Sequence, residues 1–385
     1  MRIAFVSFTG LRPSGSWPAT AASMMRALVA DGHEVVPIIP AISRSTIYLH
    51  ARKAMYRAVG QHFHAERQKS IAQELALSVD QQLRTLPFEP DLVLGSSSLP
   101  MAYLRTTLPT AFWTDATFAS MLHFYDEFSH LSNETIRSGM EVEERALARC
   151  DHAFYSSAWA ARSAVKDHGA DPRKTHVVPF GPNLDHEPRR DEVLDAIEER
   201  SRKICKLLFV GYDWTRKQGE LVVRVQRLLE GMGVPAELII IGCEPEIEQR
   251  HRRVRVVGKL DKNTPEDLGL LQHAFLTSHF LMVPSLAECY GMVYAEASAY
   301  GSPSIACNVG GVEAVVSHGR NGLLFEPGVD ALLVAEHIAA IWKDEAAYRA
   351  MARAARDEFD DRLNWGSGIA SLTRKLTVKK AEIVS

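Results

Sequence analysis

The chain has 385 residues, 46% of them hydrophobic and 24% charged, with a formal net charge of -3 at neutral pH. That length exceeds one ordinary core and fits two domains, and the near-balanced charge gives no basis for nucleic acid as a general partner. Five scattered cysteines (Cys150, Cys205, Cys243, Cys289 and Cys307) form no CxxC pair, which argues against a disulfide framework or a zinc site and suits a reducing cytosol. No apolar run approaches the ~20 residues that span a bilayer.

In chain order, short β-rich runs alternate with helical stretches. MRIAFVSF carries one basic residue before a short apolar run, with no small-residue cleavage site after it, and reads as a first strand rather than a signal peptide. The loop SFTGLRPSGSWPAT follows, with Gly10 and Gly15 ahead of a helix that begins near Trp17 or Pro18. It lacks the second glycine of GxGxxG, which weakens a dinucleotide fingerprint. After the strand EVVPIIP, the segment YLHARKAMYRAVGQHFHAERQKS (48–70) is rich in Arg, Lys, His and aromatic residues. It reads either as a solvated helix or as a peripheral contact with an anionic membrane or a lipid-diphosphate acceptor. The runs DLVLGSS, TAFWTDA, HAFYSS and HVVPFG complete the first series of strands. Asp115 stands directly after an apolar strand, where it either caps the next helix or faces a ligand. His123 reads as structural, and Ser156 and Ser157 as helix caps.

The charged stretch HEPRRDEVLDAIEERSRK (186–203) has no strand signal and reads as a linker. A second series restarts at Lys206: KLLFVGY, ELIIIG, RVRVVGK, HFLMVPS, PSIACN and GLLFEP. Runs apolar on both faces and separated by helices predict parallel sheets covered on both sides, an α/β protein of two doubly wound domains. Ligands of such sheets bind at the carboxyl ends of strands. There the turn DWTRKQ holds Arg216 and Lys217, charges suited to a diphosphate or to a solvated turn. HFLMVPS ends at Pro284, and Gly301-Ser302-Pro303 is a helix stop, so a helix is expected from about Gly291 to Tyr300. Glu288 then lies just before that helix, and Glu296 inside it on the face of Met292 and Ala299. A helix start attracts anions such as phosphate, and Gly291 lets a ligand approach the backbone. The two carboxylates could accept hydrogen bonds from sugar and ribose hydroxyls, at about 1.5–3 kcal/mol each. The plainer alternative makes Glu288 a helix-terminal charge and Glu296 a solvated position.

The stretch PSLAECYGMVYAEASAYGSPSIACNVGG closely resembles the glutamate–seven–glutamate signature of the retaining, family 4 glycosyltransferases of the GT-B fold. A PS, a Glu, an aromatic-Gly pair, a second Glu followed by Ala, a G-x-P and a later Gly-Gly are all present. The resemblance implies two Rossmann-like domains facing across a cleft. It places an acceptor-binding domain over 1–190 and a nucleotide-sugar domain over 191–365; the segment 366–385 reads as a last helix that could pack back on either domain, the N-terminal one included. It implies that Glu288 contacts the donor sugar and Glu296 the ribose, with backbone amides near Tyr290, Gly291, Met292 and Val293 holding sugar and diphosphate. Arg216 and Lys217, in the loop that begins at Gly211, would meet the phosphates. The family's arginine commonly follows that glycine directly, where Tyr212 stands here, so Arg216 substitutes for it. By the same resemblance Lys259 and Leu260 frame the base, Gly15 and Ser16 lie beside donor phosphate and acceptor, and Gly310-Gly311 forms either a turn by the donor or a plain strand-to-helix turn. Many members carry a histidine in the region of Asp115. That carry-over is by position only, with the carboxylate orienting the sugar or receiving the acceptor proton.

The expectation is therefore a cytoplasmic retaining hexosyltransferase, at most peripheral to the inner face of a membrane. It takes a nucleotide-diphosphate sugar as donor and a saccharide, lipid-linked glycan or small molecule as hydroxyl acceptor, with no cofactor and no metal. No D-x-D occurs, so a metal-dependent GT-A scheme has no sequence support. A nucleotide-sugar epimerase on the same scaffold and a nucleotide-sugar-binding protein without transfer are the alternatives. A nicotinamide oxidoreductase lacks its fingerprint, and a pyridoxal-phosphate phosphorylase usually needs a longer chain.

Overall fold

The computed structural model of the protein describes residues 1–11, 16–42, 46–247 and 252–384. The chain divides into two compact units, Met1–Pro179 together with Gly368–Ser385, and Phe180–Ser367. Among the described residues each unit holds a six-stranded, wholly parallel sheet.

In the first unit the strands are β1 (Arg2–Val6), β2 (Glu34–Ile38), β3 (Leu92–Gly95), β4 (Thr110–Thr114), β5 (His152–Tyr155) and β6 (Thr175–Val177), in spatial order β2-β1-β3-β4-β5-β6. Between them run α1 (Ser16–Ala30), α2 (Thr46–Ala58), α3 (Lys69–Leu83), α4 (Phe118–Met121), α5 (Asn133–Arg149) and α6 (Ala158–His168). The interior strands β3, β4 and β5 are buried at every position, and β1 at all but its first, whereas the edge strands β2 and β6 are partly exposed. Helix cover on both faces explains why the interior runs are continuously apolar instead of alternating.

The second unit contains α7 (Arg190–Glu199), β7 (Cys205–Val210), α8 (Gly219–Gly231), β8 (Ala236–Ile241), β9 (Val254–Gly258), α9 (Pro265–Thr277), β10 (Phe280–Met282), α10 (Met292–Ala299), β11 (Ser304–Cys307), β12 (Gly322–Phe325), α11 (Ala331–Lys343) and α12 (Glu345–Asp361). Its order is β12-β11-β10-β7-β8-β9. From β7 the chain winds outward through β8 and β9, then returns to lay β10 on the other side of β7, with Leu208 opposite both Ile239 and Leu281. The strand order reverses there, which is where open α/β sheets leave a crevice for ligands. Helix α13 (Trp365–Val384) closes the chain, and from Gly368 it counts with the first unit.

All twelve predicted strand runs are strands, and the helix expected from about Gly291 to Tyr300 is α10 with those residues as its caps. Two expectations need correction. The charged stretch 186–203 is not a bare linker: α7 occupies most of it, burying Val193 and Ile197 within the second unit. Ser157 caps α6 by accepting from the Ala160 N–H, but Ser156 caps nothing, because its buried Oγ has no hydrogen-bond partner. No helix of the described residues is long and apolar enough to cross a membrane.

Arg200, 6% exposed at the end of α7, ties this unit together. Its guanidinium donates to Leu276 O (3.0 Å), Gly301 O (2.7 Å), Tyr300 O (2.7 Å) and the Tyr348 hydroxyl (2.9 Å), joining the ends of α9 and α10 to α12. Arg200→Ala strands buried carbonyls, and the expected loss of stability is about 3 kcal/mol or more in urea denaturation. A loss below about 1 kcal/mol would contradict that role.

Candidate functional site

The loops leaving β7 and β10 emerge side by side at the strand-order reversal, and hydrogen bonds lock them together. Leu286 N–H donates to Arg216 O (2.8 Å), Arg216 Nη1 to Ala287 O (2.5 Å), and Gln218 Nε2 to Pro284 O (2.7 Å). Gln218 holds a left-handed backbone (φ 52°) as the N-cap of α8, a conformation uncommon for a residue with a Cβ. Gly310-Gly311, after β11, joins the same knot, since Gly311 N–H donates to Glu288 O (3.1 Å).

The Glu288 carboxylate sits at the centre. Its Oε2 accepts from Lys217 Nζ (3.1 Å), Arg216 Nη1 (3.4 Å) and Ser285 Oγ (3.3 Å). Burial pushes this carboxyl up, but Lys217 and Arg216 prevail and hold it below its ordinary value of 4.5. The lysine reaches the carboxylate because of a glycine: a Cβ on Gly211 would lie 2.2 Å from Lys217 Cδ. Gly291 is required twice over, by its φ of 86° and by the Tyr294 ring, 2.4 Å from where a Cβ would stand.

Beyond Gly291, α10 begins at Met292, so the N–H groups of Met292 and Val293 belong to its first turn, where no i-4 carbonyl exists to accept them. Glu296, 5% exposed, lies one turn further in. Its Oε1 accepts from Lys262 Nζ at 3.2 Å, and Glu296 raises the Lys262 ammonium above its usual value against the opposing effect of burial. Lys262 follows β9 three residues after the predicted base contact Lys259, which is exposed, and two after Leu260, which is half-buried. It went unnoticed in the sequence because its partner is 34 residues away, although its place at the carboxyl end of a strand was the available signal.

The structure thus gathers Gly211, Arg216, Lys217, Glu288 and Gly291 on neighbouring loops of the second unit, with Met292, Val293 and Glu296 in the α10 helix that follows. Tyr290 belongs to that stretch, but its phenol is turned inward, donating to Phe180 O at 2.7 Å, so only its backbone is left to meet a ligand. In the first unit Asp115 immediately follows β4 and is half-buried. It is not the helix cap: Thr117 fills that role through a capping box with Ser120. His168 accepts from the Ala119 N–H, and burial lowers its pKa to about 4, which keeps it neutral for that purpose. Gly15 lies outside the described residues, and Ser16 opens α1. A groove of about 1020 Å³ in the first unit, lined by residues such as Lys69, Tyr103 and Arg145, contains none of the predicted site residues.

Two family models match the chain: "Glycosyltransferase Family 4" over residues 19–186 and "Glycosyl transferases group 1" over residues 204–344. The D-inositol 3-phosphate glycosyltransferase of Geodermatophilus obscurus is 28% identical over 258 residues, 63% of this chain and 56% of that protein. The N-acetyl-alpha-D-glucosaminyl L-malate synthase of Bacillus anthracis is 33% identical over 150 residues, 35% of this chain and 37% of that protein. The chain spans little more than half the length of the first of these curated relatives. Among solved structures, the sucrose-phosphate synthase of Thermosynechococcus elongatus has a TM-score of 0.68 at 20% identity, covering 98% of this chain and 99% of that one. HepE of Anabaena in complex with UDP has a TM-score of 0.63 at 18% identity, covering 98% and 100%.

Two doubly wound parallel units, the second with a carboxylate gripped by two cations where its strand order reverses, make up the GT-B fold that these solved glycosyltransferase structures share. The chain belongs to glycosyltransferase family 4.

The depressed pKa of Glu288 makes a prediction about acid. A carboxyl held below its unfolded value contributes stability that is fully present above that value and is lost as the pH falls through the folded one. Lys217→Met leaves Arg216 alone beside Glu288 and raises its pKa. The stability gap between wild type and Lys217→Met should therefore narrow as the pH falls below 4.5, read from urea denaturation at a series of pH values. A gap independent of pH would show that Lys217 does not act through this carboxylate.

Proposed function

We propose that the protein is a metal-independent, retaining glycosyltransferase that moves a hexose-type sugar from a nucleotide-diphosphate sugar to a hydroxyl acceptor. The observation that carries this reading is the cluster of Lys217, Arg216 and Glu288 at the carboxyl ends of β7 and β10, with Glu296 following Glu288 in α10.

In this reading Glu296 takes the ribose hydroxyls and exchanges part of its contact with Lys262 for them. The first-turn amides of α10 and the side chains of Arg216 and Lys217 receive the diphosphate, whose charge rises as it departs. Glu288, kept ionised by its two cations, accepts hydrogen bonds from sugar hydroxyls and is not a nucleophile. The anomeric C–O bond to the diphosphate breaks, the bond to the acceptor oxygen forms on the same face, and the acceptor proton passes to a diphosphate oxygen. Lys259 and Leu260 border the base. Asp115, at the end of β4, is assigned to orienting a hydroxyl or receiving its proton. Acceptor chemistry stays at the level the relatives' names share, glycosyl transfer to a small hydroxyl compound, with saccharides and lipid-linked glycans included. The five buried cysteines, none of them in a disulfide, suit a cytoplasmic protein, at most peripheral to the inner face of a membrane.

A thermal-shift panel of nucleotide sugars tests this first, with UDP-glucose at its head because the HepE complexes contain UDP and UDP-glucose. With the donor so found, Glu296→Ala is expected to weaken donor affinity about tenfold or more through loss of charge-assisted hydrogen bonds. Lys217→Ala is expected to lower kcat more than donor affinity, since it acts on charge that develops in the transition state. A chelator is expected to leave turnover intact. Unchanged donor affinity in Glu296→Ala, or activity abolished by chelation, would contradict the reading.

A further inference from the structure

The ion pair between Lys262 and Glu296 is built from two fixed elements. Lys262 stands in the turn between β9 and α9, which Asp261 pins. The Asp261 carboxylate accepts from the Asn263 N–H (3.0 Å), its carbonyl accepts from the Thr264 N–H (3.0 Å), and its own N–H donates to Asp267 Oδ2 (2.8 Å). Glu296 stands in α10 between Ala295 and Ala297, both fully buried, which packs its helix firmly into the unit.

That pair leaves hydrogen-bonding capacity on both partners. An ammonium has three N–H donors and a carboxylate two acceptor oxygens, yet the two groups share one bond, Lys262 Nζ to Glu296 Oε1 at 3.2 Å. Among the described residues no other hydrogen bond reaches Oε2 or the remaining ammonium protons, and Asp185 and Tyr212 act on Lys262 through charge alone. The lysine stays charged, because the Glu296 carboxylate raises its pKa against the cost of burial, so it donates and does not accept. Whatever fills this place must therefore supply a donor to Oε2 and an acceptor to Nζ within one small group. A phosphate suits the ammonium but is repelled by the carboxylate beside it, and an amine does the reverse. Two hydroxyls on adjacent carbons satisfy both, since each donates and accepts.

We infer that Lys262 binds the donor directly and reads the ribose together with Glu296. One ribose hydroxyl donates to Glu296 Oε2, its neighbour accepts from Lys262 Nζ, and the Nζ–Oε1 contact loosens without breaking. This rests on the proposed function, which brings a ribose to Glu296, and extends it: the diol is recognised by a carboxylate and an ammonium, one hydroxyl each. A site built to bond a hydroxyl rejects the analogue that lacks it, because a buried polar group is then left unpaired. A lysine that only neutralised Glu296 would, when lost, weaken every nucleotide by the same factor.

The test is titration calorimetry of the protein with UDP, ADP and GDP, each beside its 2′-deoxy and 3′-deoxy forms. The diphosphate that binds wild type most tightly carries the comparison. Wild type is expected to favour the ribose form over each deoxy form about tenfold or more. Lys262→Met is expected to erase that preference at one of the two hydroxyls and to keep it at the other. Glu296→Gln with Lys262→Met repeats the comparison against Glu296→Gln alone, with no buried charge left unpaired, and the same hydroxyl should lose its preference. Preferences in Lys262→Met that equal those of wild type, or that vanish at both hydroxyls together, would overturn the inference and leave the transferase proposal standing. So would a wild type that binds a diphosphate yet is indifferent to both hydroxyls. Binding of none of the diphosphates by wild type would overturn both proposals.

Discussion

A carboxylate taken out of water between a lysine and an arginine is the constraint around which the second unit is built. Burying Glu288 without partners would cost far more than any one hydrogen bond returns, and the cations beside it are themselves costly to desolvate. The arrangement persists because each partner is held in place by backbone. Arg216 is anchored on Ala287 O, and Leu286 N–H on Arg216 O. Gly211 and Gly291 are the two places where a side chain would push Lys217 or Tyr294 out of position. Glycine is therefore required at these points by contact geometry, and at Gly291 by its backbone as well.

The same arrangement explains how the fold makes a site. Strands β7 and β10 are neighbours in the sheet but are separated by some seventy residues of chain, so their loops meet only because the sheet reverses its winding between them. Both acidic side chains are engaged by lysines, Glu288 by Lys217 and Glu296 by Lys262. An incoming nucleotide diphosphate would bring hydroxyls for the carboxylates and phosphate oxygens for the cations. It would thus replace existing charge contacts with similar ones and leave no buried charge unpaired.

Much of this was legible in the sequence because parallel sheets write a simple code: strands buried on both faces are short apolar runs, and all twelve stood out. The α10 segment was equally plain, since a glycine before it and Gly301-Ser302-Pro303 after it bound the helix on either side. What escaped the sequence depended on contacts between distant residues. Helix α7 hides in a charged stretch because only Val193 and Ile197 of its ten residues mark its buried side. The units divide at Phe180 rather than near residue 190, where Phe180 stacks on Trp365 and Pro182 O accepts from the Trp365 indole. The inward turn of Tyr290, the pairing of Lys262 with Glu296 and the capping of α4 by Thr117 in place of Asp115 are likewise tertiary facts. No local pattern announces them.

The most direct measurement is a crystal structure of the protein with a bound nucleotide-diphosphate sugar. The account predicts the diphosphate against Lys217, Arg216 and the first turn of α10, the ribose hydroxyls on Glu296, and the sugar beside Glu288. A nucleotide bound elsewhere, with the Glu288 and Glu296 ion pairs untouched, would contradict it.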